Sequence, residues 1–152
     1  MIDFPSYITG FVDGEGSFLV SFSKREKMQT GIEVRPSFTV SQHRRSLKVL
    51  EKVQKYFGVG GIRLNKRDNC YKYEVRSISD LMSKVIPHFK SYPLQSSKEN
   101  DFQKFSVICE MVHSNHHLNE DCVKKIVELA YQMNNLGARR YDKEDLLKIS
   151  AR

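Results

Sequence analysis

Four short segments of this chain alternate polar and apolar side chains with a period of two, and they come in two pairs with a helical stretch between them. In SFLVSFSKR (17–25) and EVRPSFTVSQ (33–42), separated by a breaker at Gly31, polar residues fall mostly on odd positions and apolar ones on even positions, Leu19 being an exception. GGIRLNKR (60–67) and CYKYEVR (70–76) repeat the pattern, joined by a short turn around Asp68 and Asn69. Period two marks half-buried strands, so each pair is expected to form an antiparallel hairpin. A parallel βαβ fold would carry single strands between helices.

The intervening stretches change period. Asp3 and Pro5 offer a helix start, Ile8, Phe11 and Val12 recur at helical spacing, and the glycines of GEG end a first helix spanning roughly residues 4 to 14. Leu47, Leu50, Val53 and Phe57 define a second helix from Arg44 to Phe57, with Gly58 as its stop. A third is expected from about residue 79 to near Pro87. Ser96-Ser-Lys-Glu99 has the form of a capping box ahead of Phe102, Phe105, Ile108, Cys109 and Val112. Val123, Ile126, Val127 and Ala130 mark a further helix, and Asp142 to Ile149 a short last one. The order is α-β-β-α-β-β-α with helices appended, an α+β fold. A chain of 152 residues without a linker rich in Pro, Gly or Ser is expected to form one domain, 1–152.

Lys and Arg outnumber Asp and Glu 25 to 18, a net charge of +7 that favours an anionic partner such as nucleic acid or acidic lipid. Cys70, Cys109 and Cys122 are widely spaced and include no CxxC pair, so neither a disulfide framework nor a thiolate zinc site is indicated. No apolar run approaches the ~20 residues needed to span a bilayer. The expectation is an intracellular protein with no membrane partner.

Taken literally, the alternation places Phe18, Val20, Phe22, Val34, Phe38, Val40, Ile62, Leu64, Tyr71, Tyr73 and Val75 on the sheet face that packs on the helices. The other face carries Ser17, Ser21, Ser23, Arg25, Glu33, Arg35, Ser37, Thr39, Ser41, Arg63, Asn65, Arg67, Lys72, Glu74 and Arg76. Arg and Lys can reach guanine acceptors and phosphates, while Ser, Thr, Asn and Glu complete the donor and acceptor pattern of a duplex groove. A strand of about nine residues runs about 30 Å, close to one helical turn of DNA. The bland alternative is a solvated sheet face.

The segment Ile8-Thr-Gly-Phe-Val-Asp-Gly-Glu-Gly16 ends a helix on an acid. Helix C-termini carry unpaired carbonyls and partial negative charge, so Glu15 is unfavourable there unless something positive lies nearby. A hard cation such as Mg2+ would supply it, since carboxylate and carbonyl oxygens are its preferred ligands. Asp13 points elsewhere, being two residues away on a helix. Gly10 and Gly14, four apart, leave one helix face bare and open to close approach of a second backbone. That backbone is either another helix of the same chain or a second copy of this one, which would bring two Glu15 side chains together. Lys98 is the mirror case, a cation in the first turn of a helix, balanced by an anion such as a phosphate or simply solvated.

ITGFVDGEG resembles the LAGLIDADG motif, with Gly10, Asp13, Glu15 and Gly16 in register and Ile8, Phe11 and Val12 as apolar equivalents. YFGVGGI, YEVRSISDL and HFKSYPLQSSKENDF resemble the body of the same homing endonucleases, so the likeness covers roughly residues 7 to 110. The resemblance implies an α-β-β-α-β-β-α fold whose antiparallel sheet forms a saddle on double-stranded DNA. Since a single motif occurs here, it also implies a homodimer through Ile8, Gly10, Phe11, Asp13 and Gly14. By position, Glu15 corresponds to the metal-binding acid, the Gly14 carbonyl to a supporting ligand, Gln42 to the residue that orders water near the metals, and Lys98 to the lysine near the phosphate. Asp13 corresponds to a residue holding the helix pair and its loop. Where close relatives place a basic residue at the start of the second helix this chain has Ser46, with Arg44 or Arg45 as substitutes.

The activity so implied is site-specific hydrolysis of both strands of a long, near-palindromic DNA site. Mg2+ is the implied cofactor, with Mn2+ as a substitute, and 3′ overhangs are the implied product. A maturase that binds intron RNA and a non-cleaving DNA-binding regulator are the competing readings, and the compartment would be an organelle or the bacterial cytoplasm. His113, His116 and His117 match neither HExxH nor an HNH site and read as a loop between helices.

Overall fold

The computed structural model describes all residues except 116–117, 134–140 and 152. Helix α1 (Phe4–Glu15) has Asp3 at its N-cap and Pro5 in its first turn, and buries Ile8, Thr9 and Val12. Strands β1 (Gly16–Lys24) and β2 (Ile32–His43) follow, then helix α2 (Leu47–Phe57) and strands β3 (Gly61–Asn65) and β4 (Cys70–Val75). Helices α3 (Ile78–Asp80), α4 (Ile86–Ser91), α5 (Lys98–His113), α6 (Glu120–Tyr131) and α7 (Lys143–Ser150) complete the described elements. This is the α+β class and the α-β-β-α-β-β-α order read from the sequence, with further helices behind it.

The four strands form one sheet in the order β1-β2-β4-β3. β4 runs antiparallel to both β2 and β3, with Phe38 opposite Val75, Val40 and Ile62 opposite Tyr73, and Leu64 opposite Tyr71. Even positions of β2 and β3 therefore share a face with odd positions of β4, as the period-two pattern requires. Leu64 departs from its expected place in the core and is 42% exposed. It lies near the end of the edge strand β3, where its one strand neighbour is Tyr71 of β4, itself only half-buried.

Two compact units group the described residues: Met1–Phe18 with Ser37–Glu99, and Leu19–Pro36 with the described residues after Glu99. The first is built on interlocking aromatic rings. Phe38 is fully buried, with its centroid 5.4 Å from that of Phe18, 5.6 Å from Phe89 and 5.8 Å from Phe57. Burying each such ring contributes roughly 1.5 to 3 kcal/mol. Gly60 is required by close approach as well as by its φ of 86°: a Cβ there would lie 2.7 Å from the Glu74 carbonyl oxygen. The second unit buries Val20, Phe22, Ile32 and Val34 of the first hairpin, the apolar stripes of α5 and α6, and Leu146 of α7.

Two helix boundaries differ from the sequence reading. Arg44–Ser46 forms a 3-10 turn before α2, with His43 Nδ1 accepting from the Arg45 amide at 3.3 Å. Helical structure also runs through Pro87 to Ser91, because Leu81–Val85 adopts a π turn immediately upstream, in which the Ile86 amide bonds the Leu81 carbonyl. A wider turn ahead of a proline relieves the clash of its ring with the carbonyl four residues back, so the chain bends without stopping.

His88, next to that proline, is 6% exposed and burial depresses its pKa to about 4. An unfolded chain takes up this proton near pH 6.5, so between pH 6.5 and 4 the unfolded state binds more protons and stability falls as pH is lowered. Thermal melts across that window should show a falling Tm, and His88→Gln should flatten the slope.

Candidate active site

The C-terminal end of α1 is where the chain concentrates its chemistry. Gly16 caps the helix with its amide on the Val12 carbonyl, and a Cβ on Gly16 would lie 2.6 Å from Val12 Cγ1. A side chain there would push the strand off the helix, so β1 leaves α1 tightly and Glu15 is presented at the junction. Glu15 is exposed and makes no hydrogen bond or ion pair among the described residues.

The positive charge that the helix end demands comes from Lys98. Its Nζ donates to the carbonyl oxygens of Val12 at 2.9 Å and Gly16 at 2.5 Å, one on either side of Glu15 in sequence. Two oddities of the sequence thus settle each other: an acid on the negative end of a helix, and a lysine misplaced at the start of α5, whose ammonium is a second donor to the Val12 carbonyl already bonded by the Gly16 amide. The Lys98 ammonium thus lies on the partial negative charge at the end of α1.

Asp13 holds the segment that delivers Lys98. Its Oδ2 accepts from the amides of Gln95 at 2.8 Å and Ser96 at 3.1 Å, and its Oδ1 accepts from the Ser96 hydroxyl. Burial pushes the Asp13 carboxyl upward, but the hydrogen bonds from Ser96 and Gln95 and the charge of Lys98 together hold it below the ordinary range. The expected reciprocal capping box is therefore not made. Ser96 spends its amide and hydroxyl proton on Asp13 and accepts from the Lys98 amide at 3.1 Å, while Glu99 takes the Leu94 amide at 3.2 Å.

Gln42 lies near the end of β2 opposite Tyr71, half-buried, and makes no hydrogen bond to Glu15 or Lys98. Arg44, Arg45 and Ser46 are exposed in the turn that follows. On α1, a Cβ placed on Gly10 or Gly14 would meet nothing within 4 Å, so both glycines face open space and no helix among the described residues packs on them. Ile8 is fully buried, Phe11 and Asp13 half-buried, and the rings of Phe4, Tyr7 and Phe11 stack along the helix at 5.8 and 6.1 Å. Among the described residues no three His, Cys, Asp or Glu side chains gather as a metal cage. His113 is exposed at the end of α5, and His116 and His117 lie outside the described residues.

On the polar sheet face the expected exposure holds except in the middle of β2. Ser37 and Thr39 are buried, 9% and 6% exposed, because short side chains on an inner strand are shadowed by longer neighbours. Ser41, Arg63, Asn65, Arg67, Lys72 and Arg76 are exposed, Ser17 and Glu74 half-buried, and Arg63 bonds Glu74 at 2.9 Å. In the other unit Ser21 and Arg35 are exposed and Ser23 half-buried, and Glu33 Oε2 lies 3.1 Å from both Arg25 and Arg35. The hydrogen bond from Arg35, against a smaller effect of burial, and the charge of Arg25 keep the Glu33 carboxyl below its ordinary value. These pairs are solvent-exposed and contribute little to stability, so their guanidinium groups are oriented without being sequestered.

The fold and this acid-ending helix define a class. The family model for LAGLIDADG endonuclease matches residues 8–109, and the chain belongs to that family. It is similar to the crystal structure of the homing endonuclease I-TnaI, with 38% identity, a TM-score of 0.83, and 95% of this chain and 94% of that one covered. The archaeal intron-encoded homing endonuclease I-Vdi141I, solved in complex with DNA, aligns at 30% identity and a TM-score of 0.89, covering 97% of this chain and 94% of that one. Among curated relatives, the probable intron-encoded endonuclease 3 of Neurospora crassa is 32% identical over 86% of this chain, which spans only 24% of its length.

Replacing Asp13 by Ala leaves two amides and a hydroxyl without their acceptor. Hydrogen bonds to a charged group contribute about 1.5 to 3 kcal/mol, so Asp13→Ala should lower stability by about that amount or less, as read from the urea midpoint at unchanged m-value.

Proposed function

We propose that this protein is a site-specific homing endonuclease that acts as a homodimer on double-stranded DNA and hydrolyses one phosphodiester on each strand, leaving 3′ overhangs. The observation that carries the reading is the end of α1. There an exposed, unpartnered carboxylate, Glu15, stands between two carbonyls gripped by the ammonium of Lys98. Membership of the LAGLIDADG endonuclease family supports it, as does the DNA-bound state of I-Vdi141I.

The donor set suits a hard divalent cation. Glu15 offers a free carboxylate and Gly14 a carbonyl in the last turn of the helix, where no intrahelical amide reaches it. Mg2+ typically takes one or two carboxylates and fills the rest of its shell with water and substrate phosphate, so a dense protein cage is not required. Mg2+, or Mn2+ in its place, would be held by Glu15 and Gly14 and would supply Lewis-acid stabilisation of phosphate oxygens and a more acidic water. Lys98, fixed on α1, keeps positive charge beside the scissile phosphate, and Gln42 offers amide groups to orient water. Arg44 and Arg45 stand in the exposed turn after β2 as the basic complement.

Two copies are needed because one motif helix supplies one Glu15 and each strand needs its own. The bare face of Gly10 and Gly14 permits close approach of a second α1, with the half-buried Phe11 on the same helix; Ile8, fully buried within the protomer, and Asp13, engaged with the loop before α5, support that helix from behind. The exposed arginines, lysine and short polar side chains of β1 to β4 then lie along the duplex, and the net charge of +7 draws it in. The place of action is an intron-bearing genome, organellar or bacterial. Among the described residues no helix is long and apolar enough to cross a membrane.

Incubation of the purified protein with a pool of duplex intron-insertion sites, in Mg2+ or in Ca2+, tests this directly. Sequenced ends should show one near-palindromic site cut on both strands in Mg2+ and bound uncut in Ca2+. Binding with no Mg2+-dependent cleavage would instead indicate a DNA-binding regulator, and preference for intron RNA over duplex a maturase. Glu15→Gln should keep DNA affinity within about threefold and lower the cleavage rate by about a hundredfold or more. An unaltered rate would remove Glu15 from the site.

A further inference from the structure

Behind the motif helix runs a chain of hydrogen bonds that the candidate site does not use. Thr9 on α1 and His88 on α4 are each 6% exposed. Thr9 Oγ1 donates to the Tyr92 carbonyl at 2.8 Å and lies 3.1 Å from His88 Nε2. His88 Nδ1 lies 2.8 Å from the Tyr56 hydroxyl on α2.

Every proton in this chain has a determined place. A hydroxyl carries one proton and a carbonyl only accepts, so the proton of Thr9 goes to Tyr92 and His88 Nε2 must be the donor to Thr9 Oγ1. A neutral imidazole protonated on Nε2 has its lone pair on Nδ1, so the Tyr56 hydroxyl donates there. The faces and edges of Tyr56, Phe57, Phe89 and Tyr92 enclose the ring, with centroids 4.6 to 5.4 Å away. The titratable groups against it are the phenols of Tyr56 and Tyr92, and burial depresses the imidazole pKa to about 4, so the ring is neutral at physiological pH.

Thr9 and Asp13 are four residues apart and so lie on one face of α1. Both grip the same loop: Thr9 at Tyr92, Asp13 at Gln95 and Ser96, with Lys98 directly after. We propose that His88 is a positioning residue for Lys98. Its Nε2 proton commits the Thr9 hydroxyl to Tyr92, which docks the start of the loop on α1 and sets the ammonium against the end of the motif helix. With the other tautomer, Nε2 would compete for the proton of Thr9 and the anchor on Tyr92 would be lost. The kinetic consequence rests on the endonuclease reading, whereas the docking is a property of the protein alone.

The docking is tested on the intact protein without DNA. Nitrogen-15 NMR of His88 at neutral pH should show Nε2 protonated and Nδ1 bare, and the reverse pattern overturns the assignment. Thr9→Val removes the hydroxyl, and should speed hydrogen exchange of the Gln95 and Ser96 amides by about tenfold or more, with Leu50 and Val53 of α2 within about twofold. Thr9→Ser should restore protection. Unchanged exchange at 95 and 96, equal acceleration in α2, or no rescue by Ser overturns the docking role. On a cleavable duplex, Thr9→Val should lower the single-turnover rate by about tenfold or more with affinity within about threefold, and Thr9→Ser should recover it. A Thr9→Val rate equal to that of the unaltered protein overturns the positioning of Lys98. If the unaltered protein cuts no duplex, the endonuclease reading fails, and the tautomer and exchange results still decide the docking.

Discussion

The contact on which the site depends is the ammonium of Lys98 on the carbonyls of Val12 and Gly16. A helix that ends in glutamate places full negative charge on top of the negative end of its own dipole, a conflict that costs several tenths of a kcal/mol or more unless a cation offsets it. Lys98 offsets it from the side, through backbone oxygens, and makes no bond with the carboxylate itself. Glu15 therefore remains unpaired and exposed at the very point where the chain turns into β1. Had Lys98 formed an ordinary ion pair with Glu15, the carboxylate would be neutralised internally and of little use to a ligand.

That arrangement holds only if the loop before α5 is seated on α1, and the seat is made of polar groups with little redundancy. Asp13 takes two amides and a hydroxyl, and Thr9 takes a carbonyl. Gly16 lets the strand leave without displacing Val12. The motif helix thus has three working faces: a buried apolar one with Ile8 and Val12, a polar one that grips the loop, and an open one bearing Gly10 and Gly14. A sequence of nine residues that must satisfy all three admits few substitutions, which is the physical basis for so compact a motif identifying a family.

The sheet divides its labour by the same alternation. In the first unit one side joins the aromatic core around Phe38, and in each unit the other side carries basic and short polar groups. Several of its arginines are held by Glu33 and Glu74 in exposed pairs, which orient the guanidinium groups at small cost. In the endonuclease reading, those oriented groups supply base contacts while Lys72, Arg67 and Arg76, which form no ion pair among the described residues, supply phosphate contacts.

The order of helices and strands, the hairpin pairing and the identity of the acid at the end of α1 were legible in the sequence, because they depend on local periodicity, on turn residues and on one charge in the wrong place. Boundaries at Pro87 and Ser96 were not. A proline reads as a stop unless a π turn precedes it, and Ser96 reads as half of a local capping box unless a carboxylate from elsewhere claims its protons. The burial of Ser37 and Thr39 and the exposure of Leu64 also follow from neighbours on other strands, which alternation along one strand does not contain. Most of all, the sequence presented Glu15 and Lys98 as two separate misplaced charges, 83 positions apart. Only the tertiary structure joined them, since electrostatic compensation is a matter of distance in space, and no local pattern encodes which distant helix will bring its ammonium to the end of α1.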